Sequence, residues 1–334
     1  MLPKAAPVER ASTDAPTMKI PVTIVSGFLG AGKTTLLRRL LAQPMGYRLG
    51  ILINDFGAIN VDADMLSEVQ PDIISLKNGC VCCNINDDLA GGLRRLMEAE
   101  STPDHIVIET SGVSEPRRVA EMFFSGALSR QFQVDGIFCL VDALNYFDLD
   151  YGMTELAIEQ AAVSDVVILN KIDLVSGDVV AGVHRVLKAA LPSMRIIESV
   201  QAEVPLEVIL DSTRESPRLS VFPRATGFVS GQSGAHDQAF ATQTWSSDGL
   251  LRRDAFEAAV KEFPASIYRA KGYLTFTDEP ERSSLFQIVG KRSSLDLSVR
   301  ERGDTANVLV VIGSKADVDF GQFERLMMTC VDPL

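Results

Sequence analysis

Short apolar runs alternate with segments of helical periodicity from residue 19 to about residue 197. The apolar runs are rich in Val and Ile, and they are PVTIVS, LGILIND, DIISL, HIVIET, DGIFCLVDA and DVVILN. Helical patterns lie between them, at residues 33–41, near residues 87–97, after Pro116 and around residues 155–163. Continuous Val and Ile runs are typical of strands that are buried on both faces. The pattern therefore predicts an α/β fold with a mostly parallel sheet flanked by helices.

The alternation stops at a segment that is poor in apolar residues. Residues 212–239 are rich in Ser, Gly, Pro and Gln, which indicates a linker. After it come probable strands in AFATQTW, IYRAKGYLTF, SLFQIV and NVLVVIG, with helical patterns in LRRDAFEAAVKEF and at residues 318–329. The sequence thus predicts a loose tail at 1–17, a main α/β domain at 18–211, a linker at 212–239 and a smaller C-terminal α+β domain at 240–334.

Composition narrows the class of protein. The 334-residue chain is 46% hydrophobic and 23% charged, as in an ordinary soluble protein. Its net charge of −12 argues against nucleic acid as a partner, because phosphate contacts need clustered Lys and Arg. No apolar run approaches the roughly 18 to 20 residues of a membrane span. The first 17 residues lack the apolar stretch of a secretory signal. We therefore expect a cytoplasmic protein with no membrane partner.

The segment from Gly27 to Thr34, GFLGAGKT, matches the phosphate-binding pattern G-x-x-x-x-G-K-[ST]. It lies between a predicted strand and a predicted helix, where backbone N–H groups and the helix N-terminus can surround phosphates. Lys33 is expected to reach the β- and γ-phosphates in catalysis, and the Thr34 hydroxyl to bind Mg²⁺. The alternative is an ordinary Gly-rich turn. The predicted phosphate-binding residues are Gly27, Gly30, Ala31, Gly32, Lys33, Thr34 and Thr35.

A second motif, Asn170-Lys171-Ile172-Asp173, follows the predicted strand DVVILN. The carboxylate of Asp173 only accepts hydrogen bonds, so it can take the N1 and 2-amino hydrogens of guanine, whereas adenine has no 2-amino group. Asn170 can bond the base edge or neighbouring loops, and Lys171 can lie along the ring. Asn and Asp are also common in turns at strand ends. Together with the phosphate-binding motif, NKID predicts a protein that binds GTP.

A third motif, Glu109-Thr110-Ser111-Gly112, ends the predicted strand HIVIET. An acidic residue at the tip of a parallel strand beside the phosphate site is where Mg²⁺ and its waters are held, so Glu109 is a candidate catalytic and Mg²⁺-binding residue. Many GTPases have Asp at this position. Gly112 can offer its N–H to a γ-phosphate. The alternative function of the motif is to cap the following helix.

Three of the five cysteines, Cys80, Cys82 and Cys83, fall within four residues in the segment NGCVCC. Thiols this close cannot pair with one another without strain, but they can converge on one metal ion. Thiolates suit Zn²⁺, Co²⁺ or Cu(I), and three protein ligands leave a fourth position open for exchange. The alternatives are a redox pair or small buried hydrophobic side chains.

The segments GFLGAGKTTLL, NDFGAINVD, NGCVCC, ETSG and NKID together resemble the CobW-like metallochaperone GTPases, relatives of the nickel-insertion GTPases of hydrogenase and urease. The resemblance runs from residue 19 to about residue 330. It implies a GTP-dependent carrier that delivers a Zn²⁺- or Co²⁺-type ion to a client metalloenzyme or a cofactor-biosynthesis enzyme. It also implies that Asp62 lies in a switch region near Mg²⁺. Asp55 stands where many members have Glu, and only His236 lies in a linker that is often His-rich.

The expected mechanism couples the two sites: GTP with Mg²⁺ orders the thiols around the metal, and hydrolysis releases it. We find no arginine finger or water-positioning Gln by sequence, so slow intrinsic turnover is expected. One alternative is a GTP-dependent regulator or assembly factor whose cysteines only sense metal or redox state. Another is a nucleotide kinase with a structural zinc site. The sequence shows no Arg-rich lid between the phosphate-binding loop and NKID, and this argues against a kinase. A homodimer is left open.

Overall fold

The structure is a computed structural model that describes residues 19–42, 48–55, 73–77, 85–98, 102–110, 112, 116–124, 128–210, 227–230, 240–302 and 307–333. It contains a seven-stranded sheet and a six-stranded sheet. None of the helices in these ranges is both long and apolar enough to cross a membrane.

The first sheet is parallel throughout, in the strand order β3-β2-β4-β1-β5-β6-β7. Its strands are β1 (Ile20–Gly27), β2 (Leu49–Asp55), β3 (Ile73–Lys77), β4 (His105–Thr110), β5 (Phe132–Asp142), β6 (Val166–Asn170) and β7 (Arg195–Ser199). The accompanying helices are α1 (Lys33–Ala42), α2 (Ile85–Glu98), α3 (Pro116–Phe124), α4 (Leu128–Gln131), α5 (Tyr151–Val163), α6 (Gly177–Ala190) and α7 (Leu206–Ile209). The predicted parallel α/β domain is confirmed.

Alternating residues of the central strands supply two separate cores, one on each face of the sheet. On one face, Val25 and Leu140 pack in the same apolar cluster as Leu36 and Leu40 of α1. The opposite face is covered by α2 and α3 over β1 and β4, and by α5 and α6 over β5 and β6. Because β1, β4 and β5 are buried on both faces, their carboxyl ends are held at one edge of the sheet, where the predicted motifs lie.

The second sheet is antiparallel, in the order β12-β11-β10-β13-β9-β8. Its strands are β8 (Gly227–Ser230), β9 (Phe240–Ser247), β10 (Ile267–Thr275), β11 (Arg282–Val289), β12 (Arg292–Glu301) and β13 (Asn307–Ser314). Helices α8 (Arg253–Lys261) and α9 (Phe320–Cys330) cover one face and enclose Trp245, Phe256 and Phe323 in a common core. This is the predicted α+β unit. Strand β8 lies inside the segment 212–239, for which the sequence predicts a linker.

The two sheets share one apolar cluster, since Tyr268, Val289 and Ile312 of the antiparallel sheet pack with the core of the parallel sheet around α7. Two ion pairs join them as well. The Nη2 atom of Arg269 lies 2.7 Å from Oδ1 of Asp135, and the Arg292 guanidinium lies 3.0 Å from Asp165. Asp135 and Asp165 lie near the amino ends of β5 and β6. The antiparallel sheet is therefore attached at the edge opposite to the carboxyl ends.

Candidate functional site

The loop between β1 and α1 has the backbone conformation that its glycines permit. Gly27 and Gly32 have φ values of 130° and 105°, in the region that favours glycine, and Gly30 has a φ of 74°. A Cβ atom on Gly27 would lie 2.2 Å from the carbonyl oxygen of Leu140, and one on Gly32 would lie 2.4 Å from Nδ2 of Asn170. Two of the predicted glycines are therefore required both by conformation and by the space around them.

Lys33, the first residue of α1, turns its side chain back into this loop. Its Nζ atom donates hydrogen bonds to the carbonyl oxygens of Gly27 at 2.9 Å and Phe28 at 3.2 Å. The side chain is buried, although lysine is rarely buried without partners. Thr34 and Thr35 follow in the first turn of α1, half-buried and exposed respectively. The ammonium group thus lies inside the loop that the sequence predicts to surround phosphates.

Asn170 joins two loops at the carboxyl edge of the sheet. Its Nδ2 atom donates to the carbonyl oxygen of Ala31 at 2.9 Å, and its Oδ1 atom accepts from the N–H of Ala202 at 2.8 Å. Both amide atoms are therefore used within the protein, and the residue is buried. Of the two roles that the sequence leaves open for Asn170, the structure shows the contacts to neighbouring loops.

Lys171 and Asp173 begin the loop that follows β6. Lys171 has a φ of 65°, and its Nζ atom lies 2.7 Å from Oδ2 of Asp142. Asp142 ends β5 and also accepts hydrogen bonds from the N–H of Leu144 and the side-chain amide of Asn145. Asp173 is exposed in the 3₁₀ turn Ile172–Leu174. Lys171 is therefore held over the end of β5, while the Asp173 carboxylate is open to a ligand.

The loop after β7 is a part of the site that the sequence analysis missed. Gln201 and Ala202 have φ values of 51° and 56°, which are uncommon for residues other than glycine. The Nε atom of Arg39, from α1, donates to the carbonyl oxygen of Gln201 at 2.8 Å, and Asn170 binds the N–H of Ala202. The signal that was available is the position of this loop after a further strand of the same sheet. Asp142, at the end of DGIFCLVDA, had the same signal and was also missed.

Glu109 and Gly112 lie beside the phosphate-binding loop, at the end of β4. Glu109 is buried and stands opposite Val25 of β1 in the parallel register. A Cβ atom on Gly112 would lie 2.7 Å from the backbone nitrogen of Leu29, so the two backbones are in direct contact. The carbonyl oxygen of Gly112 accepts a hydrogen bond from the side chain of Gln160 at 3.1 Å. The structure thus places Glu109 and Gly112 beside the loop after β1.

A cavity of about 200 Å³ lies beneath the phosphate-binding loop, between β5 and α5. Its mostly apolar lining includes Phe28, Leu29, Cys139, Tyr146 and Gln160. Burial raises the pKa of the Cys139 thiol to about 12, and it also raises the pKa of the Tyr146 hydroxyl. Both groups are therefore neutral near pH 7, and Cys139 is a buried residue of the core.

The remaining predicted metal ligands lie outside the described residues: Cys80, Cys82, Cys83 and Asp62. Within the described residues, no group of three or more His, Cys, Asp or Glu side chains could hold a metal ion. The predicted thiolate site and the predicted role of Asp62 therefore remain predictions from the sequence.

Comparison with protein families finds two matches. Residues 21–198 match the model described as CobW/HypB/UreG, nucleotide-binding domain, and residues 240–331 match that of the cobalamin synthesis protein cobW C-terminal domain. A zinc chaperone CobW from Sinorhizobium sp is 30% identical over 308 residues, covering 82% of this chain and 86% of the relative. A zinc chaperone CobW from Pseudomonas aeruginosa is 30% identical over 342 residues, covering 90% and 88%. A zinc-regulated GTPase metalloprotein activator 1 from Dictyostelium discoideum is 29% identical, covering 83% and 67%.

Proposed function

Because this chain belongs to the CobW/HypB/UreG family, we propose that it hydrolyses GTP and uses the nucleotide cycle to bind and release a metal ion for a client metalloprotein. The observation that carries the nucleotide half of the proposal is the bracing of the phosphate-binding loop by Asn170. The metal half is supported by the Cys80, Cys82 and Cys83 segment of the sequence and by relatives that are named zinc chaperones.

Guanine recognition is assigned to the loops after β6 and β7. The exposed carboxylate of Asp173 accepts the N1 and 2-amino hydrogens of guanine. Asn170 acts indirectly, because its two hydrogen bonds hold the Ala202 loop and the phosphate-binding loop at a fixed separation. Lys171, held by Asp142, offers its aliphatic stem to the face of the base. Asn170 thus links the base-binding and phosphate-binding loops. This link favours a purine nucleoside triphosphate as the ligand.

Phosphate binding is assigned to the loop from Gly27 to Thr35. Its backbone N–H groups and the N-terminus of α1 favour negative charge, and Lys33 supplies a cation inside the loop. Leaving-group charge on the β-phosphate is stabilised by the same groups, since phosphoryl transfer depends mainly on positioning and charge neutralisation. We assign the γ-phosphate contact to the N–H of Gly112, because the Gly112 backbone lies against Leu29 of the phosphate-binding loop.

The oxygen donors at this edge fit Mg²⁺. Thr34 supplies a hydroxyl and Glu109 supplies a buried carboxylate, and Mg²⁺ prefers oxygen ligands that include one or two carboxylates together with substrate phosphates. We assign the ion to these two residues, with Asp62 as a further candidate from the family resemblance. When bound, Mg²⁺ neutralises charge on the β- and γ-phosphates.

The transported metal is assigned to Cys80, Cys82 and Cys83. Thiolates bind Zn²⁺ and Co²⁺ far better than they bind Mg²⁺, so one chain can hold GTP with Mg²⁺ and a second, softer ion without confusion between the sites. The segment lies in the chain between the NDFG and ETSG motifs, both of which are expected to adjoin the nucleotide. The presence or absence of the γ-phosphate can therefore be communicated to the thiolates.

The nucleotide half is tested by measuring GTP and ATP hydrolysis by the wild type and by Lys33→Ala. The variant removes the cation inside the loop, and we expect hydrolysis to fall below detection while the fold is retained. Lys261→Ala is the matched control, because Lys261 is an exposed lysine of α8 in the antiparallel domain. Hydrolysis by Lys33→Ala at the wild-type rate, or equal rates with ATP and GTP in the wild type, would contradict the proposal.

A further inference from the structure

Gln160 is a polar residue buried within the apolar side of α5. The helix segment around it is LAIEQAAV, and the residue is 1% exposed. A buried amide is costly unless it is hydrogen-bonded. Here the Nε2 atom donates to the carbonyl oxygen of Gly112 at 3.1 Å. An internal helix residue is thereby attached to the loop that follows β4.

Gly112 in turn contacts the phosphate-binding loop. There is no room for a Cβ atom at Gly112, since it would lie 2.7 Å from the backbone nitrogen and from Cγ of Leu29. Gln160 also lines the same cavity as Phe28 and Leu29. Three segments therefore meet at one point: α5, the loop after β4 and the loop after β1.

We propose that Gln160 is a positioning residue for the γ-phosphate. Its amide holds the Gly112 backbone against Leu29, so that the Gly112 N–H is in position to bind the γ-phosphate of GTP. The proposal rests on the proposed function. GDP and GTP share the α- and β-phosphates, which the phosphate-binding loop holds without help from Gly112. Only GTP gains from a Gly112 backbone that is already in place, because less of its binding free energy is then used to position Gly112.

The test replaces Gln160 by Leu, which has a similar size but an apolar side chain without the donor. We expect the Kd of the non-hydrolysable analogue guanosine 5′-(β,γ-imido)triphosphate to rise by about three- to tenfold, while the Kd of GDP changes by less than twofold. At about 1.4 kcal/mol per tenfold, this corresponds to about 0.7–1.4 kcal/mol, within the usual net range of one hydrogen bond. The kcat for GTP hydrolysis should fall as well.

Ser164→Ala is the matched control. Ser164 is buried at the end of the same helix, where its Oγ atom donates to the carbonyl oxygen of Ala161 at 2.7 Å. The variant therefore loses a buried hydrogen bond of the same helix without contact to Gly112. We expect it to lower thermal stability and to leave the ratio of the analogue and GDP affinities unchanged.

The proposal would be overturned if Gln160→Leu weakened the binding of the analogue and of GDP by the same factor. It would also be overturned if Ser164→Ala changed the ratio of these two affinities as much as Gln160→Leu does. Either result would make Gln160 a purely structural residue. If Gln160→Leu does not fold, Gln160→Met asks the same question with a more flexible side chain of similar length. Failure of the proposed function itself would appear in the wild type, as absence of GTP binding and hydrolysis. The two failures are therefore distinguishable.

Discussion

Replacement of Arg269 by Met should lower the free energy of unfolding far more than the loss of an exposed ion pair does, because the partner Asp135 is left buried without its counter-charge. The Arg269 and Asp135 side chains are 5% and 2% exposed, and their charged atoms lie 2.7 Å apart. At an effective dielectric constant of about 20, two unit charges about 4 Å apart attract by about 4 kcal/mol. Removal of one partner from such a pair typically costs about 3–5 kcal/mol. The variant also leaves the carbonyl oxygen of Val208 without the Arg269 donor.

The assay is urea-induced unfolding at pH 7, followed by fluorescence and by circular dichroism. Since Tyr268, Val289 and Ile312 belong to the core of the parallel sheet, we expect both signals to change in one transition in the wild type. The matched control is Arg117→Ala, which breaks a 2.9 Å ion pair with Glu121 on an exposed helix surface. An exposed ion pair between helix residues four positions apart contributes about 0.3–0.5 kcal/mol to the free energy of unfolding.

Two further results would complete this test. Combining Arg269→Met with Asp135→Leu should recover most of the lost stability, since buried pairs can often be replaced by apolar residues without net cost. Guanine nucleotide affinity should stay the same, because Asp135 lies near the amino end of β5, away from the carboxyl edge where Asp142 lies. A cost of less than about 1 kcal/mol for Arg269→Met, the range of exposed pairs, would refute the reasoning.

Three other predictions concern the site. Asp173→Asn places a donor against the donors of guanine, so GTP affinity measured by titration calorimetry should fall by about 1–3 kcal/mol, and an unchanged affinity would exclude Asp173 from base recognition. Asn170→Ala removes the contacts to Ala31 and Ala202, so it should weaken GDP and GTP by the same factor, whereas a loss confined to GTP would contradict the bracing role. Iodoacetamide at pH 8 should leave Cys139 unmodified in the native protein and modify it after unfolding, because burial raises the pKa of its thiol to about 12. Peptide mass spectrometry measures the labelling, and equal labelling in both states would contradict the prediction.

The parallel sheet could be predicted because the information is local. Val- and Ile-rich runs of strand length that alternate with helical patterns are typical of parallel strands with both faces buried. The phosphate-binding loop was predictable for the same reason, since its glycines and Lys33 lie within eight consecutive residues between a strand and a helix. The strand, the loop and the helix of such a segment therefore follow from one stretch of chain.

Contacts between distant segments could not be predicted in this way. The pairing of Arg269 with Asp135 joins residues that are 134 positions apart, and neither residue has a local pattern that identifies the other. In the sequence, Gln160 is one polar residue of a predicted helix, and only the fold shows that Gly112 lies beside it. Strand β8 lies in a segment whose composition is typical of a linker, and its identity comes from main-chain pairing with β9, which composition does not record.

The central claim is that nucleotide controls metal affinity, and one titration tests it most directly. The affinity for Zn²⁺ would be measured by competition with a chromophoric chelator, in the presence of GDP and of the non-hydrolysable GTP analogue. The Cys82→Ser, Cys83→Ser double variant, which should lose tight Zn²⁺ binding and keep GTP binding, shows that the signal comes from the thiolates. We predict that the analogue strengthens Zn²⁺ binding by about 5- to 150-fold, the usual range of coupled sites, and that Zn²⁺ favours the analogue over GDP by the same factor. Equal Zn²⁺ affinity with both nucleotides would contradict the account and leave a GTPase whose cysteines form a static or sensing site.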